Sequence, residues 1–239
     1  MLRGLWAVLV LIVSSILCGV PTIVASLVNR KSDAVMHCMR LWARMNLSAL
    51  GSRVEYEGLE HLGDGEPRII VANHLSNADI WAMGQVLPLK ARYVAKQELR
   101  KVPIVGGAMA ASGMIFIDRS NRSRAIKSLR LAADKIRAGR PVLLFAEGTR
   151  SRDGRLHPFK KGPFHLALVA GVPVVPVAIS GSWGILKPRS LVVTPGVVRV
   201  QCLEPVDVSP WAPDDTRGLT EHVHGLVREA LAETEVEPA

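Results

Sequence analysis

A histidine and an aspartate lie five residues apart in the stretch 69–79, IIVANHLSNAD. Imidazole has an unperturbed pKa of about 6.5, so His74 can accept a hydroxyl proton near neutral pH without a metal. The carboxylate of Asp79 can hold the ring in one tautomer. The pair indicates general-base chemistry, although an ordinary loop histidine before a helix start capped by Ser76 explains the same residues.

The spacing of this pair also says which elements must position it. On one regular helix, residues five apart point about 140° away from each other, so both side chains cannot share a helical face. The apolar run 69–72 is typical of a buried strand and ends at Asn73. We therefore expect a strand, a turn that carries His74, and a helix over 77–87 that carries Asp79.

Two more apolar runs end in charged residues. Segment 114–117 leads into Asp118 and Arg119, and segment 142–145 leads into EGTR, which contains Glu147 and Arg150. Ligands of open α/β sheets bind beyond the carboxyl ends of the strands, so parallel strands would bring these residues to one edge with His74. Arg119 and Arg150, with Lys96 after a strand at 91–95, can then hold a phosphate group.

Strands and helices alternate along the remaining chain. We predict further strands at 54–56, 174–179 and 197–203, and helices at 103–112, 120–138 and 163–170 and near the C-terminus. This order predicts an α/β fold with a mixed, largely parallel sheet flanked by helices. We expect two parts: a membrane-associated helical segment at 1–50 and an α/β domain at 51–239.

The N-terminal segment is apolar enough for a membrane. Residues 4–28 include no charged side chain, which at about 1.5 Å per residue is long enough to cross a bilayer core. Gly19 and Pro21 leave a re-entrant hairpin open as an alternative to a straight span. No small-x-small cleavage site follows, so we expect the segment to be retained. The amphipathic segment 33–50 is either an interfacial helix or a helix packed on the domain.

The net charge and the cysteine content limit the classes of binding partner and the cellular locations that fit this chain. The net charge of +9 suits nucleic acid or anionic lipid, but no aromatic-rich basic motif supports nucleic acid. Arg30, Lys31 and Arg40 outnumber Arg3 across the apolar segment, which predicts an inner (cytoplasmic) membrane protein with its domain on the cytoplasmic side. The three widely spaced cysteines indicate neither a disulfide framework nor a metal site.

Four motifs in sequence order carry a family resemblance: NHLSNAD, MIFIDR, FAEGTRS and VPVVPVAI, spanning 73–179. The chain resembles the glycerolipid acyltransferases, in particular the 1-acylglycerol-3-phosphate acyltransferases. This resemblance implies acyl transfer from acyl-CoA or acyl carrier protein (acyl-ACP) to the 2-hydroxyl of lysophosphatidic acid, giving phosphatidic acid. Because a thioester is already activated, we expect no metal and no cofactor. The expected partners are a lysophospholipid, the thioester carrier and a membrane.

The resemblance also implies roles for single residues. His74 is the general base and Asp79 orients it. The residues implied to bind or enclose the acceptor are Lys96, Arg119, Glu147, Gly148, Thr149, Arg150 and Pro176. Apart from the resemblance, the backbone amides at the start of the helix after His74 are candidate oxyanion donors. Three alternatives remain open: an acyltransferase for another lysolipid, a histidine-dependent lipid hydrolase, and a non-catalytic binder of anionic lipid.

Overall fold

Seven strands form one sheet in the computed structural model, which describes residues 2–28, 34–64, 66–118 and 132–236. The strands are β1 (Arg53–Glu57), β2 (Ile69–Ala72), β3 (Arg92–Lys96), β4 (Ile115–Ile117), β5 (Val142–Phe145), β6 (Val174–Ser180) and β7 (Val197–Cys202). Their order is β1-β7-β6-β2-β5-β3-β4. Every neighbouring pair is parallel except β6 and β7, which are antiparallel. The predicted mixed, largely parallel sheet is confirmed.

Helices connect these strands. They are α1 (Leu2–Val28), α2 (Ala34–Ala49), α3 (Ala78–Val86), α4 (Val105–Ala111), α5 (132–137), α6 (Gly162–Ala170), α7 (Ser182–Ile185) and α8 (Thr216–Val236). Of the helix predicted over 120–138, residues 120–131 lie outside the described residues. Two short 3-10 turns, Leu59–Leu62 and Gln97–Lys101, and the single turn of α7 were not predicted.

The central strands are buried on both faces. In β2, Ile69 and Val71 pack into one hydrophobic cluster with α5, α6 and α8, whereas Ile70 and Ala72 pack into a second with α2 and α3. Side chains alternate between the two faces of a strand, so a strand covered by helices on both sides must be apolar throughout. This explains why 69–72 is a continuous apolar run. It also places β2 at the centre of the molecule.

α1 is one continuous helix that includes both Gly19 and Pro21, so a re-entrant hairpin is not formed. It is the one helix of the described chain that is long and apolar enough to cross a membrane. It packs along α2, where Asn46 Nδ2 donates to Ser14 Oγ at 2.9 Å and Trp42 Nε1 donates to Ser15 Oγ at 3.2 Å. α1 therefore lies alongside the domain.

The burial of α2 bears on whether segment 33–50 is an interfacial helix or a helix packed on the domain. Its apolar face is buried against α1 and α3, with Met36, Ala43 and Leu47 each no more than 3% exposed. These side chains are not available to enter a lipid surface. The helix is thus packed on the domain, and the interfacial alternative is wrong for this face.

Candidate active site

The turn after β2 is fixed by the side chain of Asn73. This fully buried amide donates from Nδ2 to the carbonyl oxygen of Ile179 at 2.9 Å and accepts from the Ile179 amide at 2.8 Å through Oδ1. Buried polar groups are stable only when they are hydrogen-bonded, and Asn73 satisfies one donor and one acceptor of β6 at once. The turn is thereby tied to the neighbouring strand at the residue before His74.

His74 and Asp79 are in direct contact. His74 Nδ1 lies 2.8 Å from Asp79 Oδ2, and the same oxygen accepts the amides of Leu75 at 2.7 Å and Ser76 at 2.8 Å. Asp79 is fully buried in the first turn of α3, where the helix dipole favours a carboxylate. An ionised carboxylate only accepts hydrogen bonds, so Nδ1 carries the proton and Nε2 of the neutral ring is left as the basic nitrogen.

The backbone amides after His74 do not support the oxyanion role that we expected for them. Those of Leu75 and Ser76 donate to Asp79, and that of Ala78 donates to Ser76 Oγ at 3.2 Å. These three groups already have acceptors inside the turn. The expectation is therefore wrong for them, because an oxyanion would have to displace a buried carboxylate or hydroxyl.

Other contacts hold the imidazole plane and leave the ring accessible. The ring stacks on Phe145 with 3.9 Å between centroids and 14° between planes. The backbone of His74 is held as well, because its amide donates to Glu147 Oε1 at 2.8 Å and its carbonyl oxygen accepts from the Ser151 amide at 2.8 Å. The His74 side chain is 12% exposed. A substrate can reach the ring, but the ring cannot rotate freely.

Glu147 supports the backbone of His74, because its Oε1 accepts the hydrogen bond from the His74 amide. It lines neither of the two cavities of the site, an apolar one and a basic one. It is 3% exposed, and burial raises its pKa to about 7, although the hydrogen bond from the His74 amide opposes this shift. A carboxyl group with a raised pKa keeps its proton in the folded protein at a pH where the unfolded chain has lost it. The charge on Glu147 thus opposes folding above neutral pH.

This raised pKa predicts how the unfolding free energy depends on pH. The unfolded carboxyl titrates near 4.5 and the folded one near 7, so the contribution of Glu147 to stability is full below about 4.5 and declines until about pH 7. Glu147→Gln keeps the acceptor for the His74 amide but cannot ionise. We expect the difference in unfolding free energy between this variant and the wild type to rise by on the order of 3 kcal/mol, in favour of the variant, across this pH range. Urea unfolding in detergent at a series of pH values measures this difference. A difference between the two proteins that does not change with pH would contradict the prediction.

A cavity of about 540 Å³, called here the apolar cavity, runs from His74 to the N-terminal helices. Its walls come from α1, α2, α4, β3 and the loop after β5. Characteristic lining residues are Cys18, Gly19, Thr22, Met39, Trp42, Ala108, Met109 and Met114. Such a size and lining suit one long apolar group. The cavity is also lined by His74 and by four residues named from the sequence, Lys96, Gly148, Thr149 and Arg150.

A second cavity of about 680 Å³, called here the basic cavity, adjoins the first. It is lined by Lys96, Thr149, Arg150, Arg152, Lys187, Pro188, Arg189 and Ser190. The two cavities share Lys96, Thr149 and Arg150. Arg150 is fixed at this junction because its Nη1 donates to Asn77 Oδ1 at 2.9 Å, next to the start of α3. An amphiphile that spans the junction would have one end in the cavity that His74 lines.

The structure brings some of the predicted residues together and separates others. Pro176 is buried in β6 in register with Val71 and lines neither cavity. Arg119 lies outside the described residues. The sequence pattern indicated no role for Asn73 or Phe145, and none for the basic residues Arg152, Lys187 and Arg189. Asn73 and Phe145 are adjacent to the motifs, but nothing in the sequence relates Lys187 and Arg189 to them.

Comparison with known proteins then identifies the family. The family model described as Acyltransferase matches residues 53–180. A 1-acyl-sn-glycerol-3-phosphate acyltransferase from Saccharomyces cerevisiae is 33% identical over 95% of this chain and 74% of its own length. The chain belongs to the acyltransferase family. The human 1-acyl-sn-glycerol-3-phosphate acyltransferase alpha is 36% identical to this acyltransferase over 72% of the chain, which is 62% of the human protein.

A solved structure agrees with this assignment. The crystal structure of the 1-acyl-sn-glycerophosphate (LPA) acyltransferase PlsC from Thermotoga maritima superposes with a TM-score of 0.86 at 29% identity. The superposition covers 100% of this chain and 97% of that chain, so it includes α1 and α2 as well as the sheet. The predicted family and fold class are both confirmed.

Proposed function

We propose that this acyltransferase moves an acyl chain from an acyl thioester to the 2-hydroxyl of lysophosphatidic acid, giving phosphatidic acid, with His74 as the general base. One observation carries the proposal: His74, paired with Asp79, lines an apolar cavity that shares Lys96, Thr149 and Arg150 with an adjoining basic one. An acyl group and a phosphate group belong in such adjoining environments. The relatives named as acyltransferases for 1-acyl-sn-glycerol-3-phosphate support the same substrate.

The chemistry follows from the free nitrogen of His74. As the acceptor hydroxyl oxygen attacks the thioester carbonyl carbon, Nε2 takes the hydroxyl proton, and Asp79 stabilises the imidazolium that forms. The tetrahedral intermediate collapses by breaking the carbon–sulfur bond, and His74 returns the proton to the departing thiolate. Atoms and charges balance without a metal or a nucleotide. Proximity of the two bound substrates supplies a further part of the rate enhancement.

The phosphate of the acceptor fits the junction of the two cavities. Arg150 and Lys96 both line that junction, and Arg150 is already oriented by Asn77. A guanidinium can bind phosphate through two parallel hydrogen bonds, whereas an ammonium acts as a point charge. We include Arg119 of the FIDR motif in this set on the strength of the family resemblance. Together these cations would place the glycerol hydroxyl beside His74.

The membrane role of the N-terminal helices is part of the proposal. A window of 18 residues in α1 has a mean hydropathy of 2.5, and large side chains such as Leu9, Ile12 and Leu17 are more than half exposed. Insertion of this surface into lipid would bring the apolar cavity to the layer where lysolipids reside. We place the domain on the cytoplasmic side of the inner membrane, because most basic residues that flank the apolar segment follow it.

A direct assay tests the proposal. The purified protein is supplied with lysophosphatidic acid or with other lysolipids, and with acyl-CoA or acyl-ACP, and products are identified by mass spectrometry. We expect phosphatidic acid that depends on both a thioester and lysophosphatidic acid. Preferential acylation of another lysolipid would replace the acceptor in the proposal. Free fatty acid without an acylated product would indicate a hydrolase instead.

The phosphate role of the arginines predicts a change in one kinetic constant. Arg150→Ala and Arg119→Ala should each raise the KM for lysophosphatidic acid by about tenfold or more, because each removes a charge-assisted hydrogen bond to phosphate. The KM for the thioester should change by less than about twofold. Arg155→Ala is the matched control, since this exposed arginine lines neither cavity. An effect confined to the thioester would contradict the assignment.

A further inference from the structure

Five cations line the basic cavity, and no carboxylate among the described residues forms an ion pair with any of them. They are Lys96, Arg150, Arg152, Lys187 and Arg189. Like charges gathered in a concave surface repel one another and concentrate positive potential. Such a cluster is stabilised by a bound polyanion.

The phosphate of the proposed acceptor, lysophosphatidic acid, does not account for all the positive charge of the basic cavity. Lysophosphatidic acid carries one phosphate monoester, with about 1.5 to 2 negative charges near pH 7. Lys96 and Arg150, which line both cavities, are sufficient to neutralise it. Arg152, Lys187 and Arg189 line the basic cavity but not the apolar cavity. Three cations therefore remain for a second anionic group that lies farther from His74.

The segment that carries two of these cations is ordered by its own contacts. Lys187 Nζ lies 4.1 Å from the centroid of the Trp183 ring, a cation–π contact that limits where the ammonium can go. The Ser190 amide donates to the Lys187 carbonyl oxygen at 3.1 Å, closing a turn. Within it, Arg189 has a φ of +65°, a conformation that costs free energy for a residue with a side chain. The turn presents both cations to the cavity.

We propose that Arg152, Lys187 and Arg189 bind the phosphate at the end of the phosphopantetheine arm of the thioester donor. This inference rests on the proposed function, because only a thioester donor brings such an arm. Coenzyme A and acyl carrier protein share this phosphate, so one site can serve both carriers. With the acyl chain in the apolar cavity and the thioester carbon beside His74, the arm leaves through the shared wall into the basic cavity. The donor and the acceptor then have separate phosphate subsites.

The test compares three donors that carry the phosphate of the phosphopantetheine arm with one that lacks it; acyl-phosphopantetheine and acyl-pantetheine differ by this phosphate alone. The triple variant Arg152→Gln, Lys187→Gln, Arg189→Gln is assayed with the same acyl chain on coenzyme A, carrier protein, phosphopantetheine and pantetheine. We expect kcat/KM to fall by about 10- to 100-fold for the three donors with phosphate. The value for acyl-pantetheine and the KM for lysophosphatidic acid should change by less than about twofold. Unchanged turnover of acyl-pantetheine also shows that the variant is folded.

A matched variant controls for net charge. Arg155→Gln, Lys160→Gln, Lys161→Gln removes the same three charges from exposed positions that line neither cavity, and its kinetics should match the wild type. A loss for acyl-pantetheine as large as for acyl-CoA would overturn the inference, as would a loss for acyl-CoA without one for acyl-phosphopantetheine. A raised KM for lysophosphatidic acid alone would assign the three cations to the acceptor.

A binding measurement separates this inference from the proposed function. Coenzyme A without an acyl chain is titrated calorimetrically into the wild type and into the triple variant, with no acceptor present. Binding that weakens at least about tenfold in the variant supports the subsite, even if no thioester supports turnover and the proposed function fails. Equal affinity in the two proteins overturns the subsite, even if phosphatidic acid is formed.

Discussion

Replacing His74 with alanine is expected to lower kcat for phosphatidic acid formation by about 10²- to 10⁴-fold, the range of a positioned general base. The KM values should stay near those of the wild type. The melting temperature should fall, because the buried Asp79 loses one of its hydrogen bonds and Phe145 loses its stacking partner, but the contacts to Glu147 and Ser151 are made by the backbone and remain. Thioester-dependent product formation in detergent measures the effect.

The control for this variant is His165→Ala, since His165 is an exposed histidine on α6 away from both cavities. It should retain wild-type turnover. Turnover by His74→Ala within about threefold of the wild type would exclude His74 as the base. The proton would then have to pass to another group.

Two substitutions of Asp79 should separate its chemical role from its structural one. In Asp79→Asn the amide oxygen can still accept the backbone amides of Leu75 and Ser76, but the charge that stabilises the imidazolium is gone. We expect kcat to fall by about 10²- to 10⁴-fold with little loss of stability. Asp79→Ala leaves the two buried amides without an acceptor, so its unfolding free energy should fall by at least about 2 kcal/mol.

Kinetics and urea unfolding of both variants measure these effects, with Asp207→Asn as a control at an exposed carboxylate. Two results would contradict the assignment. If Asp79→Asn kept wild-type kcat, the carboxylate charge would have no part in the reaction. If both variants lost the same unfolding free energy, the two backbone hydrogen bonds would not be the structural role of Asp79.

Sequence periodicity was sufficient for the sheet because its central strands have no polar face. The runs 69–72 and 142–145 are apolar throughout; the first lies between Arg68 and Asn73, and the second begins after Pro141 and is followed by Ala146 and Glu147. The turn at His74 followed from spacing, since five residues cannot bring two side chains to one helical face. The antiparallel pairing of β6 with β7 depends on contacts between distant segments and was not predictable from local pattern.

The sequence alone was less able to predict which residues are catalytic, as a second histidine–aspartate pair shows. His157 Nε2 lies 2.9 Å from Asp153 Oδ1, nearly the same distance as in the His74 pair. Both side chains are about half exposed and neither lines a cavity. Residue type alone does not separate the two pairs, since Asp153 and His157 are only four residues apart. Burial of Asp79 and stacking of His74 on Phe145 distinguish them, and both require the fold.

The basic cavity was missed for a similar reason. Lys187 and Arg189 are separated from Arg152 by more than thirty residues, and their sequence context is typical of ordinary solvated cations. They share one concavity only because α7 and the turn after it bring them beside the loop that follows β5. No local pattern encodes that approach.

The two sides of α1 have a consequence for how lipid tails travel. Cys18, Gly19 and Thr22 line the apolar cavity, while Ile12 and Leu17 of the same helix face outward. Moving a hydrocarbon tail through water costs about 0.8 kcal/mol per methylene, or on the order of 12 kcal/mol for a palmitoyl chain. If α1 is embedded as proposed, the hydrocarbon layer and the apolar cavity are separated by the thickness of a single helix. Product could then return to the bilayer sideways, without a soluble lipid carrier.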